Sequence, residues 1–160
     1  DRETGLLLRS QCRDSDQELL EHFMFVSLEL DRDRAGQAIE YTLDPSGFRK
    51  VESTVETLNE SRQEWQAVDL PPGYRLLSAH LRSPPGSRET VQHYLYGDGL
   101  GAVSVYVTSG GENGLDGFAE RGNTRMAGQE HGEHHITVIG EVPRATVERI
   151  LGGMQRRSTR

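Results

Sequence analysis

The chain has 160 residues, enough for one good core or two small ones, and 34% hydrophobic content with a mean hydropathy of −0.65 describes a polar, loop-rich protein. Its formal charge of −7 argues against non-specific nucleic-acid binding, which needs clustered Lys and Arg to neutralise phosphates. No run approaches the roughly 20 apolar residues of a transmembrane helix, and a lone cysteine, Cys12, excludes an intrachain disulfide and a cysteine-clustered zinc site.

Residues 1–30 read as a β-hairpin. Leu6-Leu7-Leu8 leads to Cys12, Asp14-Ser15-Asp16-Gln17 makes the turn, and the return strand alternates Leu20, Met24, Val26 and Leu28 against Glu21, Phe23, Phe25 and Ser27. Both faces carry large apolar groups, so a lone hairpin of this kind needs cover on two sides. Residues 31–64 read as an interdomain linker: the charge run Asp31 to Arg34, a short apolar patch at Ile39, Tyr41 and Leu43, and a turn at Asp44-Pro45-Ser46-Gly47. Val51, Val55 and Leu58 stand at helical spacing and predict a short amphipathic turn between Lys50 and Ser61.

Residues 65–155 form the expected complete domain. Pro71-Pro72-Gly73 ends one extended run and starts another, because proline lacks a backbone donor and glycine admits positive φ. Val91, His93 and Leu95 then alternate with Gln92, Tyr94 and Tyr96, and after a turn at Gly97-Asp98-Gly99 the alternation resumes through Val103, Val105 and Val107. A glycine-rich loop follows at 109–114, then a polar strand near Arg121 to Gln129. A turn at His131-Gly132-Glu133 leads to a strand from His134 to Glu141, and Pro143 opens a helix with Val147, Ile150, Leu151 and Met154 on one face. The fold class is α+β: an antiparallel sheet of about five or six strands with one C-terminal helix packed on one face, preceded by the hairpin and linker and followed by a basic tail, 156–160.

The wording of this domain resembles the C-terminal domain of the MucB/RseB family. The resemblance rests on Trp65 to Val68, on Leu70 to Leu76 with Pro71 and Gly73, on Tyr96 to Leu100 with Asp98 and Gly99, on Ser104 to Val107, and on His135 to Pro143. It covers about 90 residues as one domain of ordinary size. Residues 1–30 are similar to the closing hairpin of the family's N-terminal domain, itself similar to lipoprotein carriers whose half-barrel sheet shelters acyl chains.

The resemblance implies a non-enzymatic periplasmic regulator. Such a protein binds the periplasmic region of a membrane-bound, RseA/MucA-like anti-sigma factor, protects it from site-1 proteolysis and so represses the envelope stress response. It also implies lipid or lipopolysaccharide sensing by the full-length protein, and a signal peptide upstream of the residues given. Alternatives are a periplasmic lipid or lipoprotein carrier and, more distantly, a metal-dependent hydrolase. The unpaired apolar hairpin predicts a possible homodimer through residues 1–30.

Residue by residue, the chemistry is sparse. His131, His134 and His135 could hold zinc with Glu130 and Glu133, but Glu-His-Gly-Glu-His-His lacks the helical His-Glu-x-x-His spacing and reads as a solvated hairpin tip; no cofactor is expected. Gly97 to Gly101 leads into a strand, whereas a phosphate loop must lead into a helix. No Gly-x-Ser-x-Gly elbow occurs. An interaction surface remains, with Tyr74, Tyr94 and Tyr96 as aromatic anchors and Arg82, Arg88, Arg121 and Arg125 ringing a groove for an acidic or amphipathic segment. Trp65 is assigned to the core.

Overall fold

The computed structural model describes residues 1–13, 16–28, 45–48, 54–83, 89–110 and 114–158. The chain divides into two compact units, Asp1–Lys50 and Val51–Arg160. The expected charge run 31–34, the patch at Ile39 to Leu43, Arg88 and Arg160 lie outside the described residues.

In the first unit β1 (Arg9–Arg13) pairs antiparallel with β2 (Leu19–Met24), Arg9 opposite Met24, with a slip in register between Cys12 and Arg13. Gln17 takes φ 65°, the left-handed turn that reverses the chain. The Phe25 N–H donates to the Leu8 carbonyl at 3.0 Å and extends the pairing beyond β2. Nine large apolar side chains between Leu6 and Leu28 stay exposed, Val26 at 90% and Leu7 at 60% among them. Among the described residues this unit offers two strands, and two strands cannot cover two apolar faces.

The second unit is built on a seven-stranded antiparallel sheet in the order β3-β5-β6-β7-β10-β9-β8, from strands β3 (Thr54–Thr57), β5 (Arg75–Ser83), β6 (Val91–Gly97), β7 (Ala102–Ser109), β8 (Gly117–Arg121), β9 (Thr124–His131) and β10 (His134–Gly140). Two differences from the sequence reading account for the extra strand or two. Residues 54–57, expected within a linker and inside a short amphipathic helical turn, are instead an edge strand paired with β5, because Thr54, Val55 and Thr57 are β-branched and Val55 alternates with Glu56 across the sheet. The polar stretch after residue 114 makes two strands, since Gly122 at φ 60° supplies a tight turn between them.

Helix α1 (Arg144–Gly152) lies against β9 and β10 and buries Val147, Ile150 and Leu151. Pro143 precedes its first turn and its carbonyl accepts the Thr146 N–H at 2.9 Å. Met154, expected on the helix face, sits instead in β11 (Met154–Arg156), which pairs with β4 (Trp65–Ala67). Gly152-Gly153 ends the helix too early for Met154 to join it, yet Met154 is buried all the same. The helix and this two-stranded ribbon cover one face of the sheet. Val103, Val105 and Val107 of β7 and Ile136 and Val138 of β10 form the floor beneath them.

Candidate interaction surface

The signature residues are structural. Gly73 turns at φ 86°, and a side chain there would meet the Asp98 Cβ at 3.4 Å, so the Pro71-Pro72-Gly73 turn abuts the β6–β7 turn. In that second turn Asp98 accepts N–H groups from Gly101 at 2.8 Å and Leu100 at 2.9 Å, and Gly99 takes φ 95°. Those two donors hold the Asp98 carboxyl below the usual carboxylate range. Tyr74, expected at the partner surface, packs partly against the core with its hydroxyl beside Gly101. It braces a turn.

Tyr94 and Tyr96 also leave the predicted surface. They share a strand face, as alternation requires, but that face is the covered one: Tyr94 is 0% exposed and Tyr96 3%. Each hydroxyl caps the free side of the ribbon, accepting the N–H of Trp65 at 3.2 Å and of Ala67 at 3.0 Å, while the Tyr94 hydroxyl donates to Gln92 Oε1 at 2.6 Å. Burial pushes the Tyr94 hydroxyl up to about 12 and raises that of Tyr96. Trp65, 1% exposed, is in the core as expected.

The arginines do not ring one groove. Register puts Arg82 and Arg121 on the helix-free face, but β5 and β8 are five strand positions apart, about 24 Å at the usual spacing. Arg125 lies on the other face, where it donates to the Asn123 carbonyl at 3.2 Å and approaches Glu120 at 4.0 Å.

The three histidines separate as well. His131 and His134 stand edge-on to Trp65, with ring centroids at 5.1 and 5.3 Å. His135 points to the opposite face and is buried, contrary to the expected solvated tip. Its Nε2 is 3.0 Å from the Leu115 carbonyl, which can only accept, so Nε2 donates there, and Nδ1 lies 3.3 Å from Thr137 Oγ1. Among the described residues no group of three metal-ligating side chains converges.

Two features escape the sequence reading. A groove of about 670 Å³ runs beside the ribbon, floored by Leu58, Leu81 and Gln92 and rimmed by Arg156–Glu64 and Arg157–Glu60 ion pairs. Its parts lie some 95 residues apart in the chain, and nothing local announces their meeting. The other feature is a charge asymmetry. β5, β6, β7 and β10 contain no Asp or Glu, yet supply Arg75, Arg82, His80, His93 and His135 to the helix-free face. There the His93 ring stacks on Tyr106 (centroids 4.6 Å, 9° between planes), its Nε2 meets Ser104 Oγ at 3.0 Å, and His80 lies 6.4 Å away. Burial, with Arg82 and His80 near, lowers the His93 imidazole to about 4.

Known proteins share this architecture. The MucB/RseB C-terminal domain family matches residues 59–155 and the MucB/RseB N-terminal domain family residues 1–50. The sigma factor AlgU regulatory protein MucB of Pseudomonas aeruginosa is 31% identical over 155 residues, covering 94% of this chain and 48% of that protein. The sigma-E factor regulatory protein RseB of Haemophilus influenzae is 32% identical over 158 residues, covering 94% and 47%. The chain thus spans about half the length of the curated relatives it matches. Among solved structures, MucB in complex with MucA(peri) aligns over 99% of this chain and 55% of that one, at 27% identity and a TM-score of 0.64. With one family domain matched over more than half its length, and a second over its first 50 residues, this chain belongs to the MucB/RseB family.

Proposed function

We propose that the chain is part of a non-enzymatic periplasmic regulator that binds the periplasmic region of a membrane-bound anti-sigma factor and protects it from site-1 proteolysis, repressing the envelope stress response. The observation that carries this is the 27% identity, along nearly the whole chain, to MucB held in complex with MucA(peri). Regulation then follows from linkage: a lipid that prefers the partner-free state lowers partner affinity by its own differential binding energy. The test is calorimetric titration of the chain with the periplasmic region of its own anti-sigma factor, beside cleavage of that region by a DegS-type protease. Saturable binding and slowed cleavage are expected. No binding by either this chain or the longer protein defeats the reading.

A second reading has its own support in the first unit. The exposed Leu6 to Leu28 apolar surface suits acyl chains, so a lipid or lipoprotein carrier is the alternative. Binding of a fluorescent fatty acid without any binding of the anti-sigma factor would favour it.

A further inference from the structure

One face of the seven-stranded sheet is closed by the helix and ribbon; among the described residues the other carries no helix, and its charge is lopsided. The whole chain bears −7, but strands β5, β6 and β7, which meet side by side, contain no carboxylate. Register places Arg75 at one end of β5 and Arg82 near the other, both exposed and neither in an ion pair among the described residues, with His80 between them. A β-bulge between Leu76 and Ser78 turns Leu77 outward, 43% exposed, against Gly97 of the neighbouring strand. Bulges re-aim side chains, and this one places an apolar group between two cations.

We infer that this stripe along β5 and β6 docks an acidic, partly apolar segment of the protein partner, Arg75 and Arg82 taking carboxylates at its two ends and Leu77 an apolar side chain between. The assignment rests on the anti-sigma factor reading above and adds where the partner lies. Charge complementarity selects the occupant. A carboxylate brought to this stripe meets two guanidinium groups that are in no ion pair among the described residues and no carboxylate from β5, β6 or β7, the exposed Glu130 of the same face lying on β9, four strand positions from β5. A basic segment meets repulsion from both arginines. The distance from Arg75 to Arg82 along the strand, roughly 20 Å, matches about six or seven residues of extended chain. Among the described residues the opposite face offers no such stripe. Its arginines are committed: Arg62 to Glu56, Arg144 to Glu148, Arg149 to Asp69 and Arg157 to Glu60.

The test uses the full chain and the recombinant periplasmic region of its own anti-sigma factor, with affinity measured at several salt concentrations. Wild-type affinity should fall as salt rises. Arg75→Glu with Arg82→Glu should weaken binding about tenfold or more and flatten the salt dependence. Arg121→Glu, on the same face but five strands away, should stay within about twofold. Arg75→Gln with Arg82→Gln gives an intermediate loss and carries the test if the reversed pair fails to fold. Binding that survives both double substitutions, or falls equally with Arg121→Glu, overturns the docking assignment and leaves the anti-sigma reading standing. No binding by the wild-type chain overturns the docking assignment, and no binding by the longer protein either overturns the anti-sigma reading as well.

Discussion

His93 is the residue whose burial has the clearest consequence. Its ring lies between Tyr106 and His80 with 6% of its surface exposed, its Nδ1 has no hydrogen-bond partner, and the flanking strands supply Arg82 but no carboxylate to welcome a proton. The imidazole is lowered to about 4 from an ordinary 6.5, so the unfolded chain binds the proton first. The stability this gives is complete above pH 6.5 and is lost as pH falls towards 4. Denaturant unfolding at pH 7, 5.5 and 4 should show the wild type losing about 1–3 kcal/mol more than His93→Phe, which keeps the stack on Tyr106 and removes the titration. Asp98, also lowered, titrates in both proteins and cancels in the difference. Equal pH dependence would remove His93 from the account. At this scale the sequence was half legible. Alternation puts Tyr94 and Tyr96 on one side of a strand, but the face that becomes covered depends on where Trp65 and Ile150 arrive, and only tertiary packing decides that.

Among the elements, the β6–β7 and β9–β10 hairpins were readable because glycine-marked turns separate strongly alternating runs. β3 and β11 were not, and β4 was legible only as part of the extended run before Pro71, without its partner. Three or four residues carry too little pattern, and β4 exists because Tyr94 and Tyr96 hydroxyls satisfy one side of it while residues some 90 positions later satisfy the other. The segment around Leu115 is another element defined by contact alone. It crosses the helix-free face over β9, where a Cβ on Gly128 would run into the Leu115 carbonyl oxygen and crowd the His135 ring. Gly128→Ala therefore displaces the segment and breaks the His135 hydrogen bond, with no backbone strain to confuse the result because Gly128 does not adopt positive φ. The expected cost is about 1–3 kcal/mol in urea unfolding, with faster hydrogen exchange at residues 114–116. A variant as stable as wild type, with exchange unchanged, would show that the segment is not held there.

For the whole molecule, the two units differ in what they can do alone. Val51–Arg160 owns a sheet, a helix and a buried Trp65, whereas Asp1–Lys50 shows, among its described residues, two strands and a run of exposed apolar groups. An isolated two-stranded hairpin is marginal in water, and unpaired apolar edges associate. Residues 51–160 produced alone should therefore unfold in one cooperative transition and keep the blue-shifted emission of the single tryptophan. The 160-residue chain should sediment as a growing proportion of dimer or larger species as concentration rises, while residues 51–160 stay monomeric. If both are monomeric at high concentration, the hairpin does not drive association; if 51–160 fails to fold, the sheet needs the first unit. The outcome bears on the lipid-carrier alternative, because self-association would bury the apolar surface that an acyl chain would need, and the two would then compete by mass action.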